Sequence, residues 1–245
     1  MLSNVNAIII GGLGGIGSAI CRQLLSQNIK KLAILDIHDN ISNEFQDKLN
    51  VKYVKCGIEC RDTLKNAFEN IWIDFDGFDL VINSAGIVNE LNPEKCFSVN
   101  TLGAINFVTV SADVMRKDKN GRGGTIVNIA STLGYLPYKG FPIYVASKHA
   151  VLGFMKSIGD PEFCVLTGLR FISICPGYTD TTLIGSSSMH ELALEPQSEP
   201  FPPQNPLIVA DCILKSLKSN KCSSFWRCVN GEISEIELLS VNDIN

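Results

Sequence analysis

Three side chains near the middle of the chain carry groups suited to moving a proton on and off an oxygen: the hydroxyl of Ser131, the phenol of Tyr144 and the ammonium of Lys148. Residues four apart on a helix share a face, so the spacing Tyr144-x-x-x-Lys148 brings phenol and ammonium within reach of each other. A free tyrosine, with pKa about 10, is a poor base at neutral pH, and lowering it by about three units takes roughly 4 kcal/mol. A unit charge at about 4 Å, in an effective dielectric of about 20, contributes roughly that much. Lys148 is therefore placed to bring Tyr144 toward working range. A serine opposite would hold a substrate oxygen by a hydrogen bond while Tyr144 takes or gives the proton. That division of labour suits an alcohol becoming a ketone.

These groups need elements to hold them. Residues 125–130 are a β-branched apolar run of buried-strand length, which sets Ser131 at the strand's C-terminal edge, where open α/β sheets place their ligands. Tyr144 and Lys148 follow on a helix that Leu152, Phe154, Met155 and Ile158 extend with a broad apolar face. That breadth, with the apolar residues of a helix around 100–115, predicts a homodimer or homotetramer.

A second constellation opens the chain. Residues 7–10 are a β-branched strand running into Gly11, Gly12, Gly14, Gly15, Ile16 and Gly17, after which Ile16, Ile20 and Leu24 repeat at helical spacing. Such glycines let the backbone turn sharply against a pyrophosphate, and the helix N-terminus offers it unpaired N–H groups. A second strand, 31–35, ends at Asp36, where an acidic residue would hold the adenosine ribose hydroxyls and repel a 2′-phosphate, so the expected cofactor is NAD. Its positive nicotinamide would add to Lys148 in lowering the Tyr144 pKa. A short third strand at 52–54, a helix at 64–73 and a fourth strand at 78–82 continue the alternation. After the fourth strand, Asn83, Ala85 and Gly86 would let the backbone lie against the cofactor. A helix over 93–115 carries Asn100, which is either a satisfied core carboxamide or a group holding a water or carbonyl near Lys148. A sixth strand, 171–175, stops at Pro176 and Gly177, and with Thr179 and Thr181 this turn would reach the nicotinamide carboxamide. Residues 183–207 are irregular and read as either a mobile substrate lid or a surface loop. A helix at 209–217, a strand at 224–229 and an extended stretch at 232–239, whose place in the sheet the pattern leaves open, complete the chain.

Length and composition narrow the rest. A chain of 245 residues with no shift in composition predicts one α/β domain spanning 1–245. Lys and Arg number 21 and Asp and Glu 25, a net charge of -4 with no basic run, which argues against nucleic acid or an anionic membrane surface as partner. With no basic N-terminal region and no stretch long enough to span a bilayer, the expectation is a cytoplasmic protein. Nine cysteines scattered singly read as reduced thiols, and no metal site is expected.

Taken in order and spacing, the glycine turn 11–17, Asn83-Ser84-Ala85-Gly86, Asn100, Ser131, Tyr144-x-x-x-Lys148 and Pro176-Gly177 resemble the short-chain dehydrogenase/reductase family over nearly the whole chain. Gly-Leu-Gly-Gly-Ile-Gly and Phe225-Trp226-Arg227 are similar to the insect alcohol dehydrogenases. Tyr-x-Ala-Ser-Lys-His and Ile-Cys-Pro-Gly-Tyr are similar to the 15-hydroxyprostaglandin dehydrogenases. The resemblance implies a single-domain Rossmann fold, a seven-stranded parallel sheet with helices on both faces, bound NAD, and a tetrad of Asn100, Ser131, Tyr144 and Lys148. In that tetrad Tyr144 would be the general acid/base, Ser131 the substrate-oxygen ligand, Lys148 the group that lowers the tyrosine pKa and holds the nicotinamide ribose, and Asn100 a member of a proton relay. The family's aspartate after the third strand is Gly57 here, leaving the backbone of Ile58 for the adenine. A polar position three residues before the tyrosine is Phe141, which favours an apolar alcohol of alkanol, isoprenoid, fatty or steroid type over a prostanoid. The alternative is a member of the fold that binds nucleotide or lipid and catalyses weakly.

Overall fold

The computed structural model describes residues 2–185 and 202–238. Most of the irregular segment 183–207, including the greater part of the expected lid, lies outside the described residues. In chain order the elements are β1 (Asn6–Ile10), α1 (Gly15–Ser26), β2 (Lys31–Asp36), α2 (Asn43–Gln46), β3 (Val51–Lys55), α3 (Arg61–Phe75), β4 (Leu80–Asn83), α4 (Pro93–Phe97), a π-helical turn (Ser98–Gly103) and α5 (Ala104–Met115). After these come β5 (Gly124–Ile129), a 3-10 turn (Thr132–Gly134), α6 (Pro142–Ile158), α7 (Pro161–Thr167), β6 (Leu169–Pro176), α8 (Thr182–Gly185), α9 (Pro206–Ser216), β7 (Ser223–Val229) and β8 (Glu232–Ile236). Each strand foreseen from a β-branched run is present, with ends moved by one to three residues.

The sheet order is β3-β2-β1-β4-β5-β6-β7-β8. Strands β1 to β7 run parallel, so their C-terminal ends all open on one edge. Beside β1 the chain turns outward both ways, to β2 and to β4, and the crevice at that reversal is where open α/β sheets bind ligands. The sheet has eight strands, not seven. The last, β8, pairs antiparallel with β7 because Asn230 (φ 50) and Gly231 (φ 82) both take positive φ, which makes the two-residue turn that joins twisted strands into a hairpin. This places the stretch that the apolar pattern left open.

Strand alternation sends Ile8 and Ile10 to one face and Ala7 and Ile9 to the other, and each face is sealed by helices. On the first face Phe68 of α3 meets Phe78 and Phe107 edge-on, both at 5.7 Å between centroids. Leu152 and Met155 of α6 are buried in this same core and Phe154 and Ile158 pack against it partly buried, so much of the apolar face foreseen as a subunit surface is used within the chain. On the second face Ile20 and Leu24 of α1 and Val209 and Ile213 of α9 cover Ile9, Ile34 and Val127. The helix expected over 93–115 is interrupted by the π turn, and Asn100 sits inside it. Among the described residues no helix is long and apolar enough to cross a membrane, and no cluster of three or more His, Cys, Asp or Glu could hold a metal.

Candidate active site

Ser131, Tyr144 and Lys148 line one cleft at the C-terminal edge of the sheet, together with Gly14, Gly15, Ile16, Ala85, Gly86, Pro176, Gly177, Thr179 and Thr181. Ser131 follows β5 and its Oγ accepts from the N–H of Leu133 (3.1 Å), which starts the 3-10 turn and fixes the hydroxyl at the cleft wall. Tyr144 and Lys148 face the cleft one turn apart on α6, with the ammonium 5.6 Å from the phenol ring centroid. Lys148 Nζ donates to the carbonyl of Ile129 (3.2 Å). The chain thus assembles the three groups whose types and spacing suggested proton transfer.

Their electrostatics differ from the simple expectation. Burial pushes the Tyr144 phenol up to about 12, opposed by a hydrogen bond with Ser131. Burial also pushes Lys148 down to about 8 from the usual 10.5. At both groups desolvation outweighs the interactions that oppose it. A phenolate and an ammonium both lose hydration on burial, and among the described residues the lysine gains one carbonyl in return.

The glycine turn is shaped for a phosphate. Gly11 takes φ +74, and a Cβ there would stand 2.6 Å from the backbone nitrogen of Ala85, so two crossover turns touch at the sheet's reversal point. A Cβ on Gly17 would lie 2.0 Å from the Gly11 carbonyl oxygen. The cap residue of α1 is Gly14, with no side chain to satisfy the first-turn N–H groups and no acidic residue in that turn, which leaves them open to an anion. Across the cleft Thr181 stands over Gly15, whose Cβ would meet its Cγ2 at 2.7 Å. Asp36 is buried at the end of β2. One of its oxygens accepts from Leu13 N–H (2.9 Å), the other from Ile37 N–H (2.8 Å), and the latter also contacts His38 Nδ1 (2.7 Å). The carboxylate therefore braces the glycine turn from below, and with three contacts on about four acceptor sites it retains room for one ribose hydroxyl. The residues present fit a dinucleotide.

Other expected residues lie behind the cleft wall. Asn83 is buried, donates to Asn128 Oδ1 (2.7 Å) and accepts from Ala85 N–H (3.0 Å), so its side chain shapes the turn rather than the cleft surface. Ile58 packs its side chain under Gly103, where a Cβ would meet its Cγ2 at 2.7 Å, leaving only its backbone for an adenine. Asn100 is a satisfied carboxamide: Oδ1 accepts from Ile87 N–H (2.9 Å), while Nδ2 donates to Ile87 O (2.8 Å) and Ser147 Oγ (3.1 Å). It still lies near the lysine, since a Cβ on Gly86 would be 3.4 Å from Asn100 Oδ1 and 3.5 Å from Lys148 Nζ. Phe141 lines the cleft and pairs with Tyr138 at 5.6 Å. Sequence reasoning missed the other apolar walls, Val88, Leu133, Tyr178 and Leu183. It also missed Gln204, whose Nε2 donates to Thr179 Oγ1 (3.2 Å) and Cys228 O (3.0 Å) and clasps the base of the irregular loop. No local pattern marks these, because they are drawn from segments far apart in the chain.

The family profile described as short chain dehydrogenase matches residues 5–191. The chain belongs to this family. It is 38% identical over 198 residues to alcohol dehydrogenase 2 of Ceratitis cosyra, covering 78% of this chain and 77% of that protein. It is 35% identical over 202 residues to alcohol dehydrogenase 1 of Ceratitis capitata, covering 79% of each. A solved short-chain dehydrogenase from Streptomyces avermitilis superposes with a TM-score of 0.75 at 19% identity, covering 93% of this chain and 88% of that one. One from Burkholderia cenocepacia, in complex with NADP, does so at 0.71 and 20%, covering 92% and 89%. At such identities the structures speak for the fold alone.

The buried ammonium of this short-chain dehydrogenase makes a prediction. With a folded pKa of about 8 against 10.5, the native state binds fewer protons than the unfolded chain between those values. Stability should therefore rise as pH climbs from about 8 toward 10, and the cost is fully present below about 8. Lys148→Met should remove that rise and stabilise the cofactor-free protein at neutral pH by on the order of 1–3 kcal/mol, part of the gain being offset by the lost bond to Ile129. Urea midpoints measured across that pH range check it; a variant that keeps the parent's slope contradicts it.

Proposed function

We propose that the chain is an NAD-dependent oxidoreductase that interconverts a secondary alcohol and its ketone by hydride transfer. The observation that carries the reading is the convergence of Ser131, Tyr144 and Lys148 on one cleft whose other wall is the glycine turn. The named activity of the Ceratitis relatives supports it. When bound, the nicotinamide supplies the acceptor or donor of the hydride. Gly14, Gly15 and Ile16 would hold the pyrophosphate, Asp36 the adenosine ribose, the backbone of Ile58 the adenine, and Pro176, Gly177, Thr179 and Thr181 the nicotinamide end. Asn83, Ala85 and Gly86 line or shape the floor between them.

Within the cleft Ser131 donates to the substrate oxygen and Tyr144 takes the alcohol proton, or returns it to the ketone. Lys148, when protonated, opposes the burial that holds the phenol up. Asn100 steadies the turn at Ile87 and, through Ser147, the helix that bears both groups, and we assign it to the tetrad as a member of the proton relay. The walls of Val88, Leu133, Tyr138, Phe141 and Tyr178 favour an apolar alcohol. The setting is the cytoplasm, and the assembly a homodimer or homotetramer. The exposed Leu102, at 58%, within the π turn supports a shared face there. Sedimentation at micromolar concentration checks the assembly, and a monomer contradicts it.

Two substitutions test the chemistry. Tyr144→Phe keeps the ring but removes the oxygen, so kcat should fall by about 10²–10⁴-fold with NAD affinity nearly unchanged. In the parent enzyme, alcohol oxidation should rise with pH, since only the phenolate accepts the proton, through an apparent pKa below the value of about 12 in the cofactor-free site. Near-normal turnover in Tyr144→Phe sinks the assignment. Bound NAD without turnover on a panel of alkanols, isoprenols and hydroxysteroids would instead leave a binding protein.

Cofactor choice rests on Asp36. Its charge should favour NAD over NADP, and Asp36→Ala should narrow the ratio of the two affinities by on the order of 1–3 kcal/mol. Because the substitution also frees the N–H of Leu13, affinity for NAD itself should drop. Equal or better binding of NADP by the parent protein, measured by titration, contradicts the proposal.

A further inference from the structure

Helix α6 begins without a cap of its own. Its N-cap residue is Phe141, which has no side-chain acceptor, and its first residue is Pro142, which has no N–H to satisfy. The N–H of Val145 is the first to find a partner inside the helix, donating to the Phe141 carbonyl (2.9 Å). Two donors remain, on Ile143 and Tyr144. Both are taken by one carboxylate from far upstream: Glu90 Oε2 accepts from Ile143 (2.9 Å) and Oε1 from Tyr144 (2.8 Å).

Glu90 is 0% exposed. A buried carboxylate is costly unless paired, and here its partners are two backbone N–H groups at the positive end of a 17-residue helix. The donor account of the first turn closes completely with this one side chain. Glu90 also ends the segment that leaves β4 through Asn83-Ser84-Ala85-Gly86, the strip touching both the glycine turn and Lys148. One end of the carboxylate's lever is therefore the cofactor-side loop, and the other is the backbone nitrogen of Tyr144 itself. Ordinary capping by a local serine or aspartate would satisfy the same donors without tying these two walls together.

We propose that Glu90 is a positioning residue for the reaction: its carboxylate clamps the first turn of α6 to the loop after β4 and so fixes the Tyr144 oxygen relative to Ser131 and to the glycine-lined wall. The proposal rests on the proposed role of Tyr144. A proton acceptor works only within a few tenths of an ångström of its target, and a displacement of about 1 Å can cost about 10²-fold in rate.

The test replaces Glu90 in the full-length protein. Glu90→Gln keeps the size but has one acceptor oxygen, so one of the two N–H groups loses its partner; Glu90→Ala frees both. With folding checked by circular dichroism and turnover normalised to NAD-binding sites well below the melting temperature, Glu90→Gln should lower kcat by about 10–100-fold and Glu90→Ala by more. Affinity for NAD should stay within about threefold, and the primary deuterium isotope effect on kcat should rise as hydride transfer becomes limiting. Turnover within about twofold of the parent with an unchanged isotope effect, even at a lower melting temperature, overturns the proposal. It would make Glu90 a purely structural cap. Tyr144→Phe, run beside these variants, separates the two readings, because full activity there refutes the centre and not the clamp. Hydrogen exchange in the unaltered protein decides the case should both Glu90 variants misfold. The amides of Ile143 and Tyr144, in a helical first turn that ordinarily exchanges fast, should exchange as slowly as core amides, and fast exchange refutes the clamp.

Discussion

A buried ammonium governs this structure. Lys148 lies at 4% exposure and, among the described residues, forms no ion pair with a carboxylate. Its hydrogen-bond partner is the carbonyl of Ile129, and the reason that oxygen is within reach lies in the sheet register. Strand β4 ends at Asn83, opposite Asn128, one residue before Ile129, so β5 projects beyond its neighbour toward the helix. Burial sets the lysine down to about 8 and the phenol above it up to about 12. At neutral pH the phenol is held neutral, while the lysine keeps most of its charge but sheds its proton far more readily than a free one. An added charge or a polar substrate in the cleft would therefore act on a pair whose protonation balance the fold has already shifted.

Sustaining such a pair requires a close, polar-satisfied setting around it. The turns after β1 and β4 touch through Gly11 and Ala85, an approach that a side chain at Gly11 would prevent. Behind that contact a chain of buried amides holds the turns in place: Asn83 to Asn128, then Asn100 to Ile87 and Ser147, with the Ser147 hydroxyl donating to the Tyr144 carbonyl (2.8 Å). Asn83, Asn100 and Ser147 each have partners, while Asn128 accepts through Oδ1 and its buried Nδ2 finds none. The π turn contributes here. By shifting the helical register locally it presents Asn100 to Ile87 while α5 still packs Phe107 and Val108 into the core.

The parallel sheet explains why these parts meet at all. Seven strands pointing one way bring the ends of β1, β2, β4, β5 and β6 to a single edge, so residues as distant as Gly14, Ser131 and Thr181 face one crevice. The membership of this chain in the short-chain dehydrogenase family agrees with that arrangement.

Much of this was legible in the linear chain. The β-branched runs, the glycines ahead of a helical repeat, Asp36 at the end of the second strand and the four-residue spacing of Tyr144 and Lys148 are local patterns, and local geometry alone converts them into strands, a tight glycine turn and a shared helix face. The hairpin to β8 was also written locally, in Asn230-Gly231, though apolar periodicity does not register it. Only the tertiary structure decided the rest. Ile58 and Asn83 turn their side chains into the interior, Leu152 and Met155 go to the core, and Glu90, in a stretch with no distinguishing spacing, crosses 54 residues to cap the helix of Tyr144. It likewise set burial against the lowering expected for the tyrosine, so that without cofactor the phenol stands at about 12. Spacing specifies which groups can meet along one element, whereas burial and the partners supplied by distant loops depend on how all the elements pack, and burial sets the charge a group can carry.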